Sequence, residues 1–219
     1  MRLGLSAWRH GLAQPFYVPK ELQHVRVMLA DGRVSEATRE LWRLATMGSS
    51  PAAATLGYMC LACGELSGVD CLAALELCRH SANRNCGFAQ YVVAWKEYEL
   101  GNYRELRRWL HRSADQRFGP AICDLGRLAV TGKHHYQRRP EMAKKYFRFA
   151  VREGHIFSVI FFLQYCRERK FGVLLQLFST VALPISRAFI VPASWFYPFG
   201  IAVFSYPASR KRPLFAQAN

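Results

Sequence analysis

The chain has 219 residues, of which 51% are hydrophobic and 21% charged, a balance that suits one or two globular domains with a sizeable core. Its formal net charge of +15 excludes a protein with an electrically neutral surface. This charge predicts an anionic partner: a phosphate backbone, acidic lipid head groups or an acidic protein surface. The seven cysteines are odd in number and scattered, which favours reduced thiols over a disulfide framework.

The first 19 residues mix glycines and prolines with aromatic residues and arginines. This composition predicts an irregular docking arm rather than part of a helix pair. Arg2 and Arg9 leave no uninterrupted apolar run long enough for a signal peptide, so we expect the chain to stay in the cytoplasm.

Apolar residues at helical spacing predict a series of short helices from residue 20 onward. The first covers residues 20–29 and is broken by Asp31-Gly32, after which Ser35 can cap a helix that contains Leu41 and Ala45. Further helices, joined by turns with Gly or Pro, are predicted at 51–64, 69–83, 88–101, 103–116, 119–131, 140–153 and 155–169.

A spacing of small and turn residues occurs four times along this series. Its first copy is Ala45, Gly48 and Ala52, and the later copies begin after further intervals of 37, 32 and 37 residues. Intervals of this size indicate a helical solenoid. The later copies are Ala82, Asn85 and Ala89, then Ala114, Arg117 and Ala121, then Val151, Gly154 and Ser158.

The spacing has a mechanical reason, since a left-handed residue between two small ones ends one helix and starts the next close by. Gly48, Asn85 and Gly154 suit that turn; Arg117 does not, and Gly119-Pro120 is expected to supply its bend. Other recurring positions are expected to pack paired helices closely: Ala37, Ala74, Leu106 and Ala143 upstream, and Leu56-Gly57, Val93-Ala94, Leu125-Gly126 and Phe162-Leu163 downstream.

This cadence, with Leu56-Gly57 ahead of Gly64 and Leu125-Gly126 ahead of Gly132, resembles the Sel-one-like repeat, a longer relative of the tetratricopeptide repeat. The resemblance covers roughly residues 30–184, and Arg117, Val151 and Ser158 depart from the family's preferences. It implies an all-α fold, a right-handed α-solenoid of antiparallel helix pairs that binds protein partners on its concave face. It carries over no catalytic residue. We assign residues 20–184 to this array.

Two short arrangements could bind a metal ion. Cys60-Leu61-Ala62-Cys63 has no second close cysteine pair to complete four ligands, so packing is the preferred interpretation. His134-His135 would need a third ligand from elsewhere, and the joint at 131–140 is therefore predicted as a solvated basic loop. We expect no metal, no cofactor and no small-molecule substrate.

Basic residues recur in register on the second helices of three copies, and Glu76 breaks the column in the second copy. Arg39, Arg108 and Lys145 share one position, and Arg107 and Lys144 share its neighbour. Within one helix the basic residues also lie at helical neighbour spacing, where like charges repel, so the ladder is either a solvated convex face or a face neutralised by an anionic partner. The predicted contacts to an anionic surface are Arg107, Arg108, Lys144, Lys145, Arg148, Arg152, Arg210, Lys211 and Arg212.

The C-terminal part is apolar, with no charge between Phe171 and Ser186. Residues 172–183 are expected to close the array with an outer face that needs an apolar cover. The tail at 185–219, a partner or a bilayer can supply it. The aromatic residues and prolines of the tail, followed by a basic terminus, favour an interfacial or re-entrant segment at a membrane.

The expected function is a protein-interaction scaffold held at the cytoplasmic face of a membrane through residues 171–212. The alternative is a basic helical-repeat protein that binds RNA. Base-reading arrays place their contacts on the first, inner helices, whereas the ladder lies on second helices, so nucleic acid is the less favoured partner. No phosphate-binding glycine loop and no local catalytic triad signature is present in the sequence, and no enzymatic activity is expected.

Overall fold

The computed structural model describes residues 19–63, 68–153, 155, 158, 161–163 and 165. Within these residues the chain forms a short 3-10 turn at Lys20–Leu22 and eight α-helices, which confirms the all-α class. The predicted helices between residues 51 and 153 agree with the observed ones within two residues at each end. The helices are α1 (Gln23–Ala30), α2 (Val34–Thr46), α3 (Ser50–Cys63), α4 (Cys71–Asn83), α5 (Gly87–Glu99), α6 (Tyr103–Asp115), α7 (Gly119–Thr131) and α8 (Pro140–Arg152).

The contacts divide the chain into two compact units with the boundary between Val92 and Val93, inside the predicted array at 20–184. In the first unit α1 packs on α2, α2 on α3 and α3 on α4. In the second unit α6 packs on α7, and α7 on α8. Within each unit, consecutive helices therefore pack as sequence neighbours, which is the arrangement of a helical repeat. The arm at 1–19, apart from Pro19, and the tail at 185–219 lie outside the described residues.

The turns after α2, α4 and α6 share one hydrogen-bond pattern. In the first, the N–H of Gly48 donates to the carbonyl of Ala45 (3.0 Å) and the N–H of Ser49 donates to that of Leu44 (2.9 Å). The same two bonds recur around Asn85 and around Arg117. This is the Schellman ending, which requires a left-handed residue at its centre. The φ angles of Gly48, Asn85 and Arg117 are 97°, 63° and 59°.

Arg117 corrects the expectation that Gly119-Pro120 would supply the third bend. Arg117 itself is the left-handed residue, and the bond from the Phe118 N–H to the Ser113 carbonyl (3.2 Å) closes the turn around it. Gly119 and Pro120 instead form the first turn of α7. The fourth predicted turn residue, Gly154, lies outside the described residues, although His155 donates to the Ala150 carbonyl (2.9 Å) as this pattern requires.

The recurring small residues are mostly buried, but their position shifts by one residue along the chain. Ala45, Ala52, Ala82, Ala89 and Ala121 are all buried. Ala114 is only half-buried and Val151 is exposed, while the preceding Ser113 and Ala150 are fully buried. The equivalent upstream positions Ala37, Leu106 and Ala143 are buried in all three helices. Only the last turn of α6 and of α8 therefore differs from that of α2, and there the small residue at the contact is found one position earlier.

Glycines allow the closest helix pairs to approach. A Cβ on Gly57 of α3 would lie 2.8 Å from the Cβ of Cys78 on α4, and one on Gly126 of α7 would lie 2.8 Å from Cε1 of Phe147 on α8. Gly57 and Gly126 occupy equivalent positions in their copies, as do Cys78 and Phe147. The same contact is thus built once in each unit, with a larger side chain in the second.

Arginines also join successive turns within each unit. Nη2 of Arg84, which follows α4, donates to the Gly48 carbonyl (2.9 Å) and to Oγ of Ser50 (3.2 Å). In the second unit Nη2 and Nε of Arg117 donate to Oε1 of Glu153 (2.7 and 3.1 Å). Each unit therefore has a cross-connection between the ends of helices that belong to neighbouring copies.

Candidate anion-binding surface

The positive charge is distributed unevenly along the chain. Residues 19–92 contain seven basic and seven acidic residues, whereas residues 93–165 contain fourteen basic and seven acidic residues. The first unit is therefore close to neutral over its described part, and the second is strongly basic. A candidate surface for an anionic partner lies on the second unit.

The outer face of α6 is basic. Leu106, Trp109, Leu110 and Ser113 form its buried side. Arg104, Arg108 and Arg112 are exposed, and they lie three or four residues apart, as neighbours on one helix face do. Glu105 partly offsets this charge through an ion pair with Arg108 (3.4 Å), but both side chains are well exposed, so the pair contributes little.

The outer face of α8 combines charge with apolar surface. Ala143, Phe147 and Ala150 form its buried side. Lys145, Arg148 and Arg152 are exposed on the opposite side, and Lys144 is half-buried. Phe149 lies among these charges and retains 39% exposure. The guanidinium of Arg148 lies 6.0 Å from the centre of the Phe162 ring, within cation–π range.

The joint between α7 and α8 is packed against α5 and α6 rather than fully solvated. The ring of His134 lies 4.4 Å from that of Tyr103 and 5.4 Å from that of Tyr98, centre to centre. Nη1 of Arg107 donates to the His134 carbonyl. His134 and His135 both have positive φ angles, 55° and 57°, which places two consecutive side chains in a strained left-handed backbone. The prediction of a solvated basic loop is therefore wrong for His134, whose ring packs against the rings of Tyr98 and Tyr103.

Tyr136 links the same joint to both basic helices. Its ring stacks on His111 of α6, with the centroids 6.2 Å apart and the planes 19° apart. Burial and a hydrogen bond with Tyr146 of α8 raise the pKa of Tyr136 well above its ordinary value. The segment 133–139, which contributes Lys133, Arg138 and Arg139, thus contacts α6 and α8. Three basic segments are brought together by these contacts.

Two of the three histidines in this region have lowered pKa values. Burial is the main cause that lowers the pKa of His134, and the neighbouring Lys133 and His135 lower it further. Burial also lowers the pKa of His111, with Asp115 acting in the opposite direction. Neutral imidazoles suit rings that pack against tyrosines, so the positive charge of the surface comes from the arginines and lysines.

Of the predicted anionic-surface contacts, Arg108, Lys145, Arg148 and Arg152 are exposed, and Lys144 is half-buried. Arg107 is half-buried and donates to the carbonyl of His134 in the joint between α7 and α8. Arg210, Lys211 and Arg212 lie outside the described residues, as does the whole of 171–212. The sequence analysis missed Tyr98, Tyr103 and Tyr136. An available signal was Tyr136 directly after the His134-His135 pair, together with Tyr103 at the start of α6.

The nucleophilic side chains in the described residues are mostly buried. Burial raises the pKa of the Cys123 thiol to about 12 and that of Cys78 well above its usual range. Burial lowers the pKa of His155 to about 3, with Arg127 as a second cause, and its Nδ1 lies 2.6 Å from Oγ of Ser158. A protonated thiol and a neutral, enclosed imidazole are suited to packing rather than to nucleophilic attack.

No group of three or more His, Cys, Asp or Glu side chains that could hold a metal ion occurs in the part of the chain that the structure describes. The described helices include none that is both long enough and apolar enough to cross a bilayer. No family model, curated protein or solved structure matches this chain.

Proposed function

We propose that the chain is a non-catalytic protein-interaction scaffold of the Sel-one-like type that works at an anionic membrane surface. In this proposal the helix pairs form a right-handed solenoid whose concave face binds protein partners, and residues 171–212 reach the membrane from the cytoplasmic side. The repeated Schellman endings and the close contacts at Gly57 and Gly126 support the repeat architecture. The buried thiols support a role without catalysis.

The observation that carries the proposal is the concentration of basic side chains on the outer faces of α6 and α8. Arginines and lysines at helical neighbour spacing repel one another by a few tenths of a kcal/mol per pair. An anionic surface reverses that penalty, because each basic residue close to an acidic leaflet contributes on the order of 1 kcal/mol. Residues 19–92 carry equal numbers of basic and acidic residues, so among the described helices this attraction comes from the second unit.

Flotation with liposomes tests the membrane part. The full chain should float with vesicles that contain phosphatidylserine and stay in solution with phosphatidylcholine alone. The double reversal Arg108→Glu with Lys145→Glu should weaken flotation in low salt. A matched control, Arg39→Glu with Arg79→Glu, makes the same change in net charge on exposed sites of the neutral unit and should behave like wild type. Equal flotation of the two double variants would contradict the proposal.

Three further experiments test the rest of the proposal. A chain that ends at Lys170 should lose flotation in moderate salt, since it lacks the apolar segment. Retention of a mixed RNA pool across a salt series should be weak, and strong salt-sensitive retention would favour the RNA-binding alternative. Cross-linking of the tagged chain in its native cells should recover the same protein partners with both double variants. Failure to recover any reproducible partner would overturn the scaffold role.

A further inference from the structure

The last described copy of the repeat differs from the others at one exposed position. Phe149 lies where α2, α4 and α6 carry a basic or titratable residue, namely Arg43, His80 and Arg112. Its side chain keeps 39% exposure, at a position where the fold of the other helices does not need an apolar residue. Val151 lies about 200° around the helix from Phe149, at the position of the buried Ala45 and Ala82, and so belongs to the packing side.

Basic residues flank the apolar side chain of Phe149. Lys145 precedes Phe149 by four residues and Arg152 follows it by three, so both lie beside it on the helix face, and Arg148 is adjacent in sequence. All three basic side chains are exposed. Glu141, one turn before Lys145, is the acidic residue of this face, while Glu153 is engaged by Arg117.

We propose that the outer face of α8 is a direct contact with anionic lipid head groups, in which Phe149 enters the interface between phosphates bound by Lys145, Arg148 and Arg152. This inference rests on the proposed function and specifies which part of the second unit touches the membrane. An apolar centre ringed by lysine and arginine is the pattern of helices that lie in a bilayer interface. Charge complementarity selects the acidic leaflet, and the aromatic side chain supplies an apolar contribution that salt does not screen.

Nucleic acid is the competing occupant of this face. A polyanion in water would neutralise the three cations, and a base could stack on the exposed ring of Phe149. The uncharged sequence at 171–186 favours the lipid interface, because an apolar segment that enters a bilayer would bring the neighbouring α8 to the head groups.

The first test compares two serine substitutions in the full chain. Phe149→Ser should weaken binding to phosphatidylserine vesicles roughly fivefold, and the deficit should persist in high salt because it is apolar. Val27→Ser, at an apolar position with 54% exposure in the neutral unit, is the matched control and should bind like wild type. Circular dichroism and urea unfolding of both variants check that folding is intact. Equal binding of wild type, Phe149→Ser and Val27→Ser would overturn the inference.

A second test measures insertion directly. With Phe149→Trp, acidic vesicles should shift the added tryptophan emission to the blue, and lipids brominated near the head group should quench it, relative to wild type. Val27→Trp should show neither effect. An unshifted, unquenched Phe149→Trp on vesicles that do bind the chain would overturn the inference even if the serine variants fail to fold.

The outcomes separate this inference from the proposed function. If the full chain does not float with acidic vesicles, both fail. If it floats and depends on the segment after Lys170, but the triple variant Lys145→Glu, Arg148→Glu and Arg152→Glu floats equally well in low salt, only the α8 contact is overturned. If that triple variant loses RNA retention while keeping vesicle binding, the face binds nucleic acid and the inference is likewise overturned.

Discussion

Phe147 of α8 packs directly over Gly126 of α7, so closely that a Cβ on the glycine would meet Cε1 and Cδ1 of the ring at 2.8 and 3.0 Å. Phe147 is fully buried. We expect Gly126→Ala to lower the free energy of unfolding by about 1–3 kcal/mol through overpacking. Urea unfolding measures this. In a helix, alanine is more stable than glycine by about 1 kcal/mol. Unchanged or increased stability of the variant would therefore show that the Phe147 ring moves aside without a cost in free energy.

Gly57→Ala provides the comparison in the first unit. Its new methyl would meet the Cβ of Cys78 at 2.8 Å and its Sγ at 3.1 Å. A Cβ moves only with its backbone, whereas a phenyl ring can tilt, so this variant should lose more stability than Gly126→Ala. The reverse order would mean that α3 and α4 can separate more easily than α7 and α8.

Arg117 has a φ of 59°, a conformation that disfavours side chains with a Cβ. Arg117→Gly and Arg117→Ala both remove the contact with Glu153, so their difference reports the backbone alone. Glycine should be the more stable of the two by about 1 kcal/mol. Thermal or urea unfolding of the pair tests this expectation. Equal stabilities would show that the residue leaves the left-handed region when the arginine is removed.

Buried His155 predicts a dependence of stability on pH. Its pKa is lowered from 6.5 to about 3, chiefly by burial. Below pH 6.5 the unfolded chain binds a proton that the folded chain does not, so the contribution is complete above pH 6.5 and is lost as the pH falls toward 3. Between pH 7 and pH 5 the loss should be about 2 kcal/mol.

His155→Gln serves as the control in the same urea series. It removes this titration while leaving the other depressed histidines, His111 and His134, in place. The variant should therefore be less stable than wild type at pH 7 but lose less stability on going to pH 5. Parallel pH profiles for the two chains would contradict the assignment to His155.

The cysteines should differ in reactivity. Cys71 and Cys86 are half-buried, whereas Cys78 and Cys123 are buried with raised pKa values. The pKa of about 12 at Cys123, against an ordinary 9.0, corresponds to about a thousandfold smaller thiolate fraction. Alkylation of the native chain followed by mass spectrometry should label Cys71 and Cys86 first. Rapid labelling of Cys123 before unfolding would show that α7 opens.

The helices and most of their turns were predictable because their signals are local. Gly48 and Asn85 are residues that tolerate left-handed backbone, so the turn can be inferred from the residue type. Arg117 is not such a residue, and its conformation follows from the two hydrogen bonds of the helix ending. Those bonds depend on the backbone of α6, which no single residue type reveals.

The candidate surface was predictable only in part. Arg108 and Lys145 were found by their register, since an exposed helix face repeats with the helix. Tyr98, Tyr103 and His134 come together from α5, α6 and a long joint, and their contact depends on how that joint folds. Long connections have no periodicity from which their path can be predicted. From the sequence alone, the joint between α7 and α8 is therefore predicted to be solvated.

The arginine connections between turns have a consequence for how each unit opens. Helix ends normally fray one at a time, and their amide protons exchange with solvent accordingly. The side chain of Arg84 donates to the carbonyl of Gly48, so fraying at the end of α2 breaks its contact with the end of α4. Arg117 couples the ends of α6 and α8 in the same way through Glu153. Hydrogen exchange at the ends of α2 and α4 should therefore rise together, and so should exchange at the ends of α6 and α8. In each unit the smallest cooperative element is then two helices from neighbouring copies rather than a single helix.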